Sequence, residues 1–144
     1  MGLGAAQGAF DLALKYARER IQFNKPISTF QGTAFKLSDM AVEIEAARNL
    51  LYKAAWLCDN GKDFKKESAM AKLYTSEVAH RCVNNAVQIH GGYGLMKEYE
   101  VERLYRDQRV LEIGEGTSEI QRLVIARYLG CYDDAKVKEN EIEK

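Results

Sequence analysis

Apolar residues recur every three or four positions through most of the chain, which is the spacing of amphipathic helices. The first such run covers about residues 2–20 and predicts a helix there. Its apolar positions are Leu3, Ala6, Phe10, Ala13, Leu14 and Ala17. Residues 22–27 break the period, and Pro26 disfavours helical backbone at Lys25, so we expect a loop after this helix.

A second, long helix is predicted from about residue 28 to residue 59. Ser28 and Gln31 have the spacing of a capping box at its start, and Asn60 with Gly61 is a typical helix end. One face of this helix is apolar. Its members are Leu37, Met40, Ala41, Ile44, Ala47, Leu51, Ala54, Ala55 and Cys58.

Three further helices are predicted, over about residues 64–89, 99–112 and 118–129, and Gly91 with Gly92 closes the first of them. The inward positions of the helix over residues 64–89 are Ala71, Val78, Ala79, Cys82, Ala86 and Ile89. These segments predict an all-α fold, an up-and-down four-helix bundle with a short additional C-terminal helix.

Composition agrees with one helical domain over residues 1–130. The chain has 144 residues, of which 47% are hydrophobic and only one is proline, so a packed core and few helix breakers are expected. After Gly130 the apolar rhythm stops, and residues 131–144 are rich in Asp, Glu and Lys. Such a segment buries too little surface to offset ordering, so we predict a charged, flexible tail.

Charge and cysteine content disfavour several classes of function. The 21 Lys and Arg residues balance the 21 Asp and Glu residues, which disfavours nucleic acid or an anionic membrane as a partner. The three cysteines are widely spaced, which favours reduced thiols inside a cell. The chain shows no signal peptide and no apolar stretch long enough to span a bilayer, so we expect an intracellular, soluble protein.

One carboxylate stands out as candidate chemistry. Glu115 lies between Gly114 and Gly116, and this pair predicts a flexible backbone that exposes the side chain. Ser118 and Gln121 again have capping-box spacing, which predicts a helix directly after the loop. From the residues alone, Glu115 is either a general base or an ordinary exposed loop carboxylate.

The run over residues 113–122, together with residues 20–23, 30–31 and 88–92, resembles the C-terminal helical domain of the acyl-CoA dehydrogenases. The resemblance extends over residues 2–130 and is nearest to the short- and medium-chain, butyryl-CoA-dehydrogenase-like members. It implies an FAD-dependent oxidoreductase of fatty acid β-oxidation that converts an acyl-CoA to the 2-enoyl-CoA. Glu115 would remove the α-proton, and Gly116 would border the bound thioester.

The same resemblance implies ten flavin-contact residues. They are Arg20, Gln22, Phe23, Phe30, Gln31, Gln88, Gly91, Gly92, Thr117 and Glu119. Several have a local alternative that the residues leave open. For Arg20 the alternative is to complement a helix dipole, for Gln31 and Thr117 it is to cap helices, and for the glycine pair it is to close a helix.

The family's N-terminal and middle domains have no counterpart in this sequence. We therefore expect a domain of a longer parent that neither holds FAD tightly nor turns over alone. The implied partners are the acyl-CoA substrate, the missing domains, an electron-transfer flavoprotein as acceptor, and further copies in a dimer or tetramer. The implied compartment is the bacterial cytoplasm or the mitochondrial matrix. Family members commonly carry an aromatic residue where Gly114 stands, which leaves the acyl chain length open.

Two rival interpretations also fit parts of the sequence. Glu77 and His80 have the Glu-x-x-His spacing of di-iron carboxylate bundles, but the other histidine, His90, has Val87 at the corresponding position. The sequence thus predicts no metal site. The other rival is a non-catalytic helical oligomerisation module.

Overall fold

The computed structural model describes residues 1–132, which are almost entirely helical. The helices are α1 (Gly2–Glu19), α2 (Gln31–Asp59), α3 (Lys65–His90), α4 (Glu100–Asp107), α5 (Val110–Ile113) and α6 (Ser118–Tyr128). Short 3₁₀ turns cover Ile27–Thr29 and Gly91–Leu95. The predicted all-α fold is confirmed. Most of the predicted tail, residues 133–144, lies outside the described residues.

Helix α3 is the centre of the bundle, because α1, α2, α4 and α6 all pack against it. Every inward position predicted for α3 is buried. The face of α1 that enters the core consists of four fully buried alanines, Ala6, Ala9, Ala13 and Ala17. Small side chains let two helix backbones approach closely, so this seam has no room for a larger residue.

Enlarging the alanine seam should destabilise the fold. Ala13→Leu adds three carbons at a position with no exposed surface, and such overpacking typically lowers the free energy of unfolding by about 1–3 kcal/mol. Thermal unfolding of the 144-residue chain measures the change. Ala46→Leu, on the exposed side of α2, is the matched control. Equal melting temperatures for both variants would mean that the seam is not tightly packed.

The predicted apolar face of α2 is only partly buried. Leu37, Met40, Ile44, Ala47 and Ala54 enter the core. The other four members of the face are exposed in this chain, namely Ala41, Leu51, Ala55 and Cys58. Trp56 and Tyr52, at 54% and 61% exposed, lie on the same half of the helix. The C-terminal half of α2 therefore presents apolar surface.

Residues 22–27 are not an irregular loop. Strands β1 (Ile21–Gln22) and β2 (Lys25–Pro26) pair antiparallel and form a hairpin with a two-residue turn. Its turn residues Phe23 and Asn24 have φ of 50° and 61°. Positive φ at both central positions fits the right-handed twist of the flanking strands, but a phenylalanine is an unusual residue for that conformation.

One helix start and one helix differ from expectation. The predicted capping box at Ser28 and Gln31 is wrong, because Ser28 lies inside a 3₁₀ turn and Phe30 is the N-cap of α2 without a side-chain hydrogen bond. The helix predicted over residues 99–112 is broken into α4 and α5 at Gln108, whose side chain is buried.

No helix in residues 1–132 is long and apolar enough to cross a membrane.

Candidate functional site

The loop over residues 114–117, called the Glu115 loop here, joins α5 to α6 and has an unusual backbone. Glu115 has a φ of 57° and Gly116 a φ of 89°, so two consecutive residues are left-handed. Gly114 has an ordinary φ of −67°, so the prediction of a free backbone on both sides of Glu115 is wrong on that side. A left-handed glutamate persists only where its surroundings hold it, and such positions cluster at functional sites.

Two side chains hold the Glu115 loop, in a role that the sequence did not predict for either of them. The Lys72 ammonium, on α3, donates to the Gly116 carbonyl oxygen at 2.6 Å. The Gln121 amide donates to the Glu115 and Gly116 carbonyl oxygens at 3.3 and 3.1 Å. Gly116 itself has little room for a side chain, because a Cβ there would lie 2.8 Å from Gln121 Nε2.

Glu115 lines a pocket of about 330 Å³ between α1, α2, α3 and α5. The wall is mainly apolar, with Leu51, Ala54, Ala71, Val110 and Leu111, and its polar side chains besides Glu115 are Ser68, Lys72 and Thr75. Val110 and Leu51 remain 61% and 38% exposed at this wall. The arrangement places an exposed glutamate at the wall of a mainly apolar pocket.

The start of α6 differs from the predicted capping box in a specific way. Thr117, not Ser118, is the N-cap, and its hydroxyl accepts the Ile120 N–H. Gln121 turns back to the Glu115 loop instead of completing a box. The alternative that Thr117 caps a helix is thus confirmed. The Glu119 N–H, and then the Thr117 hydroxyl, hold the pKa of the exposed Glu119 carboxyl below its usual range.

A second group of predicted site residues meets where α1 ends and α3 ends. Arg20, Gln22, Gly91 and Gly92 line one surface pocket of about 390 Å³. Gln22 also lines the neighbouring pocket of about 410 Å³, together with Phe23, Phe30 and Gln88. Of the predicted residues at this end, only Gln31, exposed at the start of α2, lines neither pocket.

This end of the bundle fits an extended ligand that carries phosphate groups and aromatic rings. Arg20 offers a planar cationic fork, and its guanidinium carbon lies 5.4 Å above the Tyr93 ring. Gly91, with a φ of 60°, caps α3. This is the local alternative given above for the glycine pair. A Cβ on Gly91 or Gly92 would lie in open space. The residues present therefore fit a dinucleotide such as FAD.

The pocket lined by Glu115 is called the Glu115 pocket, and the two neighbouring pockets near Arg20 and Gln22 are called the Arg20 pockets. They lie at opposite ends of the bundle. Gly2 lines the first and Arg20 the second, and α1 spans 18 residues between them. At 1.5 Å per residue those 18 residues give a separation of about 27 Å. A ligand in the Glu115 pocket and a ligand beside Arg20 would therefore occupy separate sites.

His90 lines the pocket of about 390 Å³ that Arg20 also lines. It is 5% exposed, its ring stacks on Tyr16 with centroids 4.2 Å apart, and its Nδ1 lies 2.8 Å from the Ala86 carbonyl oxygen. That carbonyl can only accept, so Nδ1 carries the proton. Burial lowers the pKa of His90 from its ordinary value of 6.5, and the bond to Ala86 opposes the shift.

Acid should therefore weaken the fold through His90. Its pKa is lower in the folded than in the unfolded chain, so below pH 6.5 the unfolded state binds more protons and the free energy of unfolding falls. Urea unfolding between pH 7.5 and pH 5 measures this slope, and His90→Phe should flatten it. His80→Gln, which changes the other histidine, should keep it. An unchanged slope in His90→Phe would contradict the assignment.

The side chains of the di-iron motif face other partners. The Glu77 carboxylate accepts from Arg122 and so ties α3 to α6. His80 Nδ1 lies 3.4 Å from a Glu112 carboxylate oxygen and 3.2 Å from Gln108 Nε2. Residues 1–132 contain no group of three His, Cys, Asp or Glu side chains that could hold a metal ion.

Comparison with known proteins gives consistent matches. The family described as acyl-CoA dehydrogenase, C-terminal domain, matches residues 1–130. A Bacillus subtilis protein named "Probable acyl-CoA dehydrogenase YngJ" is 60% identical over 129 residues, 90% of this chain and 34% of that protein. A subunit of the caffeyl-CoA reductase-Etf complex of Acetobacterium woodii is 56% identical over 88% of this chain and 34% of the subunit. Butyryl-CoA dehydrogenase from Megasphaera elsdenii, a solved structure, superposes with a TM-score of 0.88 at 48% identity, over 89% of this chain and 33% of that one. The chain spans about a third of the length of these relatives.

Proposed function

The chain belongs to the acyl-CoA dehydrogenase family, as its C-terminal domain, and we propose that it supplies the catalytic base of an FAD-dependent acyl-CoA dehydrogenase. The reaction is the oxidation of an acyl-CoA thioester to the 2-enoyl-CoA. In this proposal the domain works inside a longer polypeptide whose N-terminal and middle domains complete the flavin and CoA sites. Members of the family are flavoproteins.

The observation that carries the proposal is the placement of Glu115. Its left-handed backbone is held from two sides, and it lines a mainly apolar pocket. Such a pocket can seat an apolar acyl chain beside the glutamate. An acyl chain seated against Leu111 and Ala71 would bring its α-carbon towards Glu115.

Each residue near the thioester then has a defined task. The Glu115 carboxylate takes the α-proton, and the backbone N–H of Glu115 donates to the thioester carbonyl as negative charge develops on its oxygen. Gly116 leaves space beside the thioester. FAD, when bound, supplies the acceptor for the β-hydrogen, which leaves as hydride.

The flavin contacts are proposed to be shared between copies. Thr117 and Glu119 adjoin Glu115, whereas Arg20, Gln22, Phe23, Phe30, Gln31, Gln88, Gly91 and Gly92 lie at the other end of the bundle. Because the ends are about 27 Å apart along α1, the second set would bind the flavin of a neighbouring subunit. A homo-oligomer, a dimer or tetramer, follows from this division. The apolar half of α2 around Tyr52 and Trp56 is surface available for such assembly.

An electron-transfer flavoprotein is the proposed redox partner, since a relative at 56% identity is a subunit of a complex with Etf. The name of that relative also favours a second candidate function, reduction of a 2-enoyl-CoA. The same carboxylate would then deliver the α-proton instead of removing it.

Anaerobic addition of acyl-CoA thioesters to the parent holoenzyme tests the function. We expect one class of saturated thioester to bleach the visible flavin absorbance on mixing, as the flavin becomes reduced. Bleaching by none of them, together with reoxidation of reduced enzyme by a 2-enoyl-CoA, would favour the reductase. Absence of both reactions would leave a non-catalytic assembly domain.

A further inference from the structure

The contact between Lys72 and the Glu115 loop crosses the bundle. Lys72 is half-buried on α3, and its partner Gly116 comes 44 residues later in the chain. The distance of 2.6 Å between Lys72 Nζ and the Gly116 oxygen is at the short end for a charge-assisted hydrogen bond. The core helix of the domain is therefore joined directly to the loop that carries Glu115.

This bond acts on the part of the loop that decides where Glu115 points. The carbonyl of Gly116 receives Lys72 and Gln121, and the carbonyl of Glu115 receives Gln121. These donors fix the two peptide planes that follow the Glu115 Cα. Since both residues are left-handed, a loop released from the donors would relax towards a more common backbone and turn the carboxylate away.

We propose that Lys72 is a positioning residue for Glu115, which holds the carboxylate in place by binding the Gly116 carbonyl. The proposal rests on the base role proposed above for Glu115. Of the two donors, Lys72 carries the charge and the shorter bond, whereas the Gln121 bonds are neutral and lie at 3.1 and 3.3 Å. We therefore assign the larger share of the positioning to Lys72.

A direct contact with bound acyl-CoA is the competing role, because Lys72 also lines the Glu115 pocket. The two roles differ in what they change. Loss of a ligand contact weakens binding, whereas loss of positioning slows proton transfer from a ligand that still binds.

Exchange of the acyl α-hydrogen with solvent deuterium reports on the base alone. The parent holoenzyme is first reduced with dithionite, so that hydride transfer is blocked, and is then incubated in D₂O with a saturated acyl-CoA that the enzyme oxidises. Mass spectrometry gives the exchange rate at saturation, and calorimetry gives the Kd. The variants are Lys72→Met, Lys72→Arg and Glu115→Gln, with Lys65→Met as the control for loss of an exposed lysine on α3.

We expect Lys72→Met to slow exchange about tenfold or more, with the Kd unchanged within about twofold. Lys72→Arg, which keeps the charge and the donors, should lie between Lys72→Met and the wild type, and Lys65→Met should match the wild type. Rates are taken per bound flavin, so that only folded enzyme counts. If Lys72→Met fails to retain flavin, the comparison of Lys72→Arg with Lys65→Met decides.

Two results would overturn the proposal without touching the base role. One is exchange in Lys72→Met as fast as in Lys65→Met while Glu115→Gln is inactive. The other is a raised Kd with an unchanged rate at saturation, which would make Lys72 a ligand contact. Exchange at the wild-type rate in Glu115→Gln would instead refute the proposed function itself, and the positioning role with it.

Discussion

Replacing Glu115 with glutamine in the parent holoenzyme is expected to lower kcat by about a thousandfold, which is within the usual range for loss of a general base. Glutamine keeps the shape of the side chain but has no basic oxygen. Because the Glu115 loop is held through backbone carbonyls, its conformation should survive the change. Steady-state assays with an electron acceptor measure kcat, and calorimetry with a 2-enoyl-CoA should show a Kd within about threefold of wild type.

Glu98→Gln is the matched control, since Glu98 is exposed in the turn before α4 and lines none of the three pockets described above. It should keep the wild-type kcat. A Glu115→Gln variant that retained kcat within about threefold would move the base to another residue. A variant that lost flavin or melted early would point instead to a structural role.

Removing the guanidinium of Arg20 is expected to weaken FAD binding by about ten- to a hundredfold, the usual loss for a charge-assisted hydrogen bond to phosphate. Arg20→Met keeps the aliphatic stem beside Tyr93. Because Arg20 and Glu115 lie at opposite ends of α1, kcat per bound flavin should stay within about twofold of wild type. Titration of the apoenzyme with FAD, followed by flavin fluorescence, gives the Kd.

Arg18→Met controls for the loss of a positive charge near the same helix end. Arg18 is exposed in the last turn of α1 and does not line the Arg20 pockets. Its FAD affinity should equal that of the wild type. Equal weakening in both variants would mean that general electrostatics, and not a contact from Arg20, attracts the cofactor.

Helical periodicity predicted those parts of the fold that pack on a neighbour within the chain. For α3, every residue placed inward is buried, because other helices cover it. For α2, the same pattern continues past Ala47, but Leu51 and Ala55 are exposed here. Periodicity shows that a face is apolar without showing which surface covers it.

Local rules failed where two residues compete or where a turn is atypical. Thr117 and Ser118 are both good N-caps, and the spacing to Gln121 favoured the wrong one. Phe23 and Asn24 form a hairpin turn without the glycine that normally marks it. At the start of α6, the Gln121 bonds to the Glu115 loop override the local preference.

The candidate site was partly accessible from the sequence. Arg20 and Gly91 are 71 residues apart but line one pocket, which the motifs anticipated only through the family resemblance. Lys72 was missed because its partner is remote in sequence and a lysine within a helix carries no pattern of its own. Contacts of this kind need the structure.

The central claim, that Glu115 is the base, is tested most directly by the reductive half-reaction. Stopped-flow mixing of oxidised parent enzyme with its acyl-CoA, without any electron acceptor, isolates the chemical step from acceptor binding and product release. The account predicts rapid flavin bleaching in the wild type and a rate about a thousandfold lower in Glu115→Gln, at equal flavin content and substrate binding. Bleaching of Glu115→Gln at the wild-type rate would contradict it.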